Sequence, residues 1–145
     1  MTHALDELTI KKLSDAAREA VATAFAPVSG FKVGAALLCE DGEIFTGANV
    51  ETPSLLFVLC AERLALAKAL TAGKRRFKAI AVYSSDVLNV SPCGICRQAL
   101  FELQKKIPVV MLSDAAPPKI MLIEELLPFG FAMNERSEDP LGEGA

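Results

Sequence analysis

The sequence predicts an α/β chain, a three-layer α/β/α sandwich built on a mixed five-stranded sheet. Three observations lead there. An amphipathic helical period opens the chain, an Asp41-Gly42 turn follows between two β-leaning runs, and apolar strand-length runs then alternate with helical ones. A hairpin followed by alternating helices and strands gives a sheet of mixed direction with helices covering it.

Taken in order, Leu13, Ala17, Ala20, Val21 and Ala24 recur at helical spacing between Leu8 and Phe25, and Pro27, Ser29 and Gly30 end that helix. Phe31 to Cys39 and Glu43 to Val50 should pair antiparallel about Asp41-Gly42. Thr52-Pro53-Ser54 interrupts the pattern, after which Cys60 to Leu70 reads as an Ala- and Leu-rich helix stopping before Gly73. Phe77 to Ser84 suits a central strand, and Pro92 should open a second cysteine-bearing helix from its first turn, running to about Gln104. Ile107 to Leu112 and Lys119 to Ile123 complete the five strands, and Glu124 to Leu127 is a helical turn ended by Pro128. One domain over 1–145 is expected, with a polar, glycine-rich and loose tail over 132–145.

Composition narrows the function. Net charge of −3 and the absence of a basic stripe argue against a nucleic-acid partner, which needs cations to neutralise phosphates. Lys74-Arg75-Arg76, the one basic cluster, reads as a solvated helix end. No apolar run is long enough to span a bilayer, and acidic residues within 1–20 break any signal peptide, so a cytoplasmic protein is expected. The 52% hydrophobic content suggests further apolar surface buried between subunits.

The chemistry lies in the cysteines. Cys93 and Cys96 are spaced to face one side of a helical turn and grip one ion, although the same spacing occurs in redox dithiols and in structural zinc sites. No second Cys-x-x-Cys pair is present; Cys60 stands at another predicted helix start and Cys39 inside a strand, where it reads as a small buried hydrophobe. Helix N-termini favour thiolates, and three thiolates on zinc leave one tetrahedral position for water, whose pKa the ion lowers toward roughly 7. Glu62, two residues beyond Cys60, is a candidate proton shuttle, and Arg63 or Arg97 could moderate the negative charge around the ion. His3, the only histidine, lies at the terminus and is an unsuitable ligand.

Cys60-Ala61-Glu62-Arg63 followed by Pro92-Cys93-Gly94-Ile95-Cys96-Arg97-Gln98 closely resembles the zinc signature of the small, three-cysteine cytidine deaminases. The resemblance extends to Phe31-Lys32-Val33-Gly34-Ala35-Ala36, Asn49-Val50-Glu51 and Glu125-Leu126-Leu127-Pro128, covering about residues 10–131. It implies one zinc per subunit on Cys60, Cys93 and Cys96, proton transfer by Glu62, and water addition at C4 of cytosine with loss of ammonia. It further implies Phe31 at the base, Ala61 among the substrate contacts, Asn49 and Glu51 on the ribose hydroxyls, and Phe131 reaching the site of a neighbouring subunit in a homotetramer.

Two positions depart from the family, which usually has tyrosine where this chain has Val28 and Leu55. Both changes would make the wall near the sugar apolar. Cytidine or deoxycytidine in pyrimidine salvage is therefore the first reading, with a modified nucleoside or an aminonucleoside of the blasticidin-S deaminase type as the alternative. A zinc-retaining homologue that binds nucleosides without catalysis is a third. A deaminase of bases within nucleic acid would need a basic channel, which the charge balance opposes.

Overall fold

The computed structural model describes residues 5–133. Helix α1 (Glu7–Ala20) starts at Asp6, whose carboxylate accepts the Thr9 N–H at 2.6 Å, and it buries Leu13, Ala17 and Ala20. It stops earlier than the periodicity suggests, passing into a 3₁₀ turn over Val21–Thr23. Phe25 is pulled out of the helix because its N–H donates to the Asn49 carbonyl and its carbonyl accepts from the Glu51 N–H.

Strands β1 (Gly34–Cys39) and β2 (Ile44–Ala48) form the expected antiparallel hairpin, with Gly42 at φ 92° in its turn. Both are shorter than predicted, and Val50 pairs instead with Leu59. The Asn49 side chain donates to the Phe31 carbonyl and accepts the Val33 N–H, so these residues bond a side chain where a ladder was expected. A small hairpin that the sequence reading lacks then follows, β3 (Val50–Glu51) against β4 (Val58–Leu59). Thr52 closes its loop, its N–H donating to the Phe57 carbonyl and its hydroxyl accepting the Phe57 N–H.

Helix α2 (Ala61–Thr71) leads to β5 (Phe77–Tyr83), and α3 (Gly94–Leu103) crosses over to β6 (Pro108–Leu112). Strand β7 (Lys119–Leu122) and the short α4 (Ile123–Leu126) finish the described chain. The five-stranded sheet runs β2-β1-β5-β6-β7, with β5 and β6 parallel and the other neighbours antiparallel. A parallel pair needs a crossover, and α3 supplies it.

The sheet faces divide the core in two. Ala36, Leu38, Ala79, Ala81 and Val110 pack with Leu13 and Ala17 of α1. Ala35, Leu37, Ile80, Val82 and Val109 pack with Ala65 and Ala69 of α2 and Leu100 of α3, giving the three predicted layers. Two glycines set the closeness of the outer layers: a Cβ on Gly34 would stand 2.1 Å from the Ala17 carbonyl oxygen, and one on Gly47 would stand 2.2 Å from that of Ala61. Cys39 is buried as expected, and burial pushes its thiol pKa up. Of the basic cluster, Lys74 pairs with Asp41 and Glu43 while Arg75 donates to the Leu70 carbonyl at the end of α2, in keeping with a helix terminus. His3 and residues 134–145 of the tail lie outside the described residues.

Candidate metal centre and cavity

Two helix starts converge on one point. Cys60 is the N-cap of α2 and Cys93 the N-cap of α3, both extended, and Cys96 lies one turn inside α3. Pro92 therefore precedes the cap and does not occupy the predicted first turn; the extended backbone of Cys93 starts the helix at Gly94. The three sulfurs lie within 4.8 Å of one another and form the only such ligand group among the described residues. Zinc holds thiolate sulfur at about 2.3 Å, so tetrahedral angles separate two sulfurs by about 3.8 Å. Cys60 Sγ and Cys93 Sγ are 3.7 Å apart, which fits. Cys96 is buried, Cys60 half-buried and Cys93 exposed, so the group opens to the outside on the Cys93 side.

The local fields suit metal binding. A hydrogen bond with Cys96, aided by Arg63, brings the Cys60 thiol pKa down to about 5, and the same coupling followed by burial drives Cys96 up. The Arg63 guanidinium donates to Cys60 Sγ at 3.5 Å. Arg97 behaves differently from the charge-moderating role considered above. Its donors go to the Pro92 and Leu126 carbonyls and to Ser91 Oγ, at 2.8, 2.7 and 2.7 Å, so it braces the turn before Cys93 against the end of α4. Glu62, in the first turn of α2, is only 4% exposed, and burial pushes its pKa up to about 7. A carboxyl poised there can both accept and return a proton near neutrality.

A cavity of about 230 Å³ opens beside the sulfurs, lined by Phe31, Asn49, Glu51, Ala61 and Glu62 together with Cys60 and Cys93. The unpredicted hairpin explains how: pairing Val50 with Leu59 and Glu51 with Val58 sets Glu51 next to the strand that runs into Cys60. Glu51 is buried, and hydrogen bonds from Ser29 hold its carboxyl below the usual range. Phe131 is absent from this lining; the residue is 65% exposed and its carbonyl accepts from Gln98 Nε2 at 2.7 Å. Val28 and Leu55 are 50% and 52% exposed, and neither lines the cavity of its own chain.

Sequence reasoning passed over Ser29, taken only as a helix-ending residue. Its N–H donates to Glu51 at 2.9 Å, its hydroxyl donates to the other Glu51 oxygen, and that hydroxyl accepts the Phe31 N–H at 3.0 Å. No local signal identifies it, because its partner lies 22 residues away.

Comparisons agree with this geometry. Residues 8–112 match the family described as the cytidine and deoxycytidylate deaminase zinc-binding region. A cytidine deaminase of Sporosarcina psychrophila is 38% identical over 131 residues, 90% of this chain and 96% of that one. The crystal structure of cytidine deaminase from Burkholderia pseudomallei superposes with a TM-score of 0.80 at 43% identity, covering 83% of this chain and 98% of that one. That of Mycobacterium tuberculosis gives 0.72 at 34% identity, covering 83% and 95%.

Proposed function

We infer that this chain, which belongs to the cytidine and deoxycytidylate deaminase family, is a zinc-dependent hydrolase converting cytidine or deoxycytidine to the uracil nucleoside with release of ammonia. The observation that carries the reading is the meeting of three thiols from two helix starts beside a buried carboxyl and a cavity. When bound to Cys60, Cys93 and Cys96, zinc supplies Lewis acidity and brings the pKa of water toward about 7.

The chain's own groups do the rest. The two helix N-termini and Arg63 stabilise the thiolates. Glu62 takes a proton from water and delivers it to ring N3 as the oxygen adds at C4; it then takes the proton of the new C4 hydroxyl and hands it to the amine, so that the C4–N bond breaks, ammonia leaves and a carbonyl forms. Phe31 and Ala61 flank the base, and Asn49 and Glu51 meet the sugar hydroxyls; their common place around the cavity supports these roles.

The proposal includes a homotetramer acting in the cytoplasm in pyrimidine salvage, as one domain. Leu56 at 91% exposure, with Phe57, Phe129 and Phe131 also exposed, leaves large apolar side chains open that contact between subunits would cover. Phe131 is exposed and absent from the lining of its own chain's cavity, which supports its reaching a neighbour's site.

The test is an ultraviolet deamination assay over cytidine, deoxycytidine and aminonucleosides, with zinc content and light scattering on the same preparation. Turnover of cytidine or deoxycytidine at about one zinc per chain is expected. Bound zinc with no turnover of any member would leave the non-catalytic homologue as the correct reading, and a monomer by scattering would remove the tetramer.

A further inference from the structure

We propose that Ser29 is a positioning residue for substrate recognition, gripping the Glu51 carboxylate so that its free lone pairs face a sugar hydroxyl, while fixing the backbone of Phe31 at the base. The inference rests on the reading above in which Glu51 meets the sugar. Ser29 is the hub of a compact arrangement. Its N–H and its hydroxyl donate to different oxygens of Glu51, and the same hydroxyl accepts the Phe31 N–H. One side chain thereby sets the relation between the two groups that would touch sugar and base.

The chemistry favours this use. A carboxylate offers about four lone-pair positions; Ser29 occupies one on each oxygen and the Val28 backbone N–H also approaches, which still leaves room for a ligand donor. Without these bonds a glutamate side chain has three torsions to settle when substrate arrives, a cost that preorganisation removes. The hydrogen bonds also lower the Glu51 pKa, keeping an acceptor for hydroxyl donors at neutral pH. Asn49 is restrained in a parallel way, by Phe31 and Val33, so the segment before β1 holds both polar groups of the sugar end. Glu51 itself lies in β3, anchored through its backbone to Phe25.

The experiment compares cytidine with 2′,3′-dideoxycytidine, which lacks both sugar hydroxyls, on zinc-loaded wild type, Ser29→Ala, Ser29→Thr and Glu51→Gln. In Ser29→Ala the KM for cytidine should rise about tenfold, as expected for a misaligned charge-assisted hydrogen bond, with kcat within about twofold and zinc content unchanged. The KM for dideoxycytidine should rise clearly less, since only the Phe31 backbone contact is lost to it. Ser29→Thr retains the donor and should recover most of the difference, and Ser29→Cys, near-isosteric with a weaker donor, replaces the alanine variant if that one does not fold. An equal rise for both nucleosides, or none for either, overturns the proposal. Glu51→Gln separates the two layers: if it discriminates between the nucleosides and Ser29→Ala does not, Ser29 alone is misassigned; if it does not discriminate, the sugar contact of Glu51 falls first.

Discussion

Alanine at Gly47 places the largest mechanical demand on the metal centre through the smallest chemical change. The added Cβ would stand 2.2 Å from the Ala61 carbonyl oxygen, 2.7 Å from the Ala65 nitrogen and 3.1 Å from Leu64 Cβ. Ordinary contact begins near 3.4 Å, so α2 must lift from β2 by about 1.2 Å at its first turn. Overpacking costs about 1–3 kcal/mol, and the upper end applies because two of the opposed atoms are backbone. Alanine in a strand recovers about 0.5–1 kcal/mol of glycine's conformational entropy, for a net loss of about 2 kcal/mol. For a chain of this size that lowers Tm by about 4–8 °C. The lifted turn carries Cys60 and Glu62, and a displacement of that size far exceeds the roughly 0.2 Å tolerance of zinc–sulfur bonds. Zinc affinity should fall on the order of tenfold to a hundredfold, read by competition with a chromophoric chelator alongside a thermal scan. Gly34→Ala is the control. Its Cβ would meet the Ala17 carbonyl oxygen at 2.1 Å, but on α1, across the sheet from the sulfurs. It should lose comparable Tm while holding zinc as wild type does. If Gly47→Ala weakens zinc no more than Gly34→Ala, the claim that close packing of α2 on β2 sets the metal geometry is wrong.

Other expectations follow from the same structure. Glu62→Gln should retain zinc while kcat falls about 10²–10⁴-fold, the usual contribution of a positioned acid/base; undiminished turnover would take Glu62 out of the reaction. Leu55 has φ 60° and a half-exposed side chain, so Leu55→Gly should relieve strain and, net of glycine's entropy cost, raise stability by about 1 kcal/mol; denaturant melts showing a loss would mean its side chain is held by packing. Stripped of metal and left in air, the chain should join Cys60 to Cys93, whose sulfurs are 3.7 Å apart, with dioxygen as oxidant. Peptide mapping that pairs Cys60 or Cys93 with Cys39 would contradict the placement of those two sulfurs.

Much of this site is legible in the sequence because its chemistry is local: the Cys93–Cys96 spacing, and a carboxyl two residues past Cys60. The central strands are legible for a related reason, since Phe77–Tyr83 and Pro108–Leu112 are buried on both faces and read as continuous apolar runs. What escapes is held by contacts distant in sequence. Phe31 and Val33 look like strand, yet Asn49 takes their backbone groups. The pair Val58–Leu59 is too short for any periodicity to show, although it aligns Glu51 with the start of α2. Arg63 and Arg97 look interchangeable beside cysteines, and only the fold separates one on sulfur from one on carbonyls.

The two halves of the sulfur cluster enter from positions 33 residues apart, one after the β3–β4 hairpin and one within the crossover between β5 and β6. An ion joining them acts as a staple across that intervening chain, worth about 4 kcal/mol in the chain-entropy view of cross-links. It also fixes an order of assembly: during synthesis no complete binding group exists until Cys96 has emerged and α3 has begun to form. Metal loading is thus a report that the start of α3 has met the start of α2, and a chain truncated before Gly94, which lacks Cys96, should leave the ribosome unable to acquire its ion.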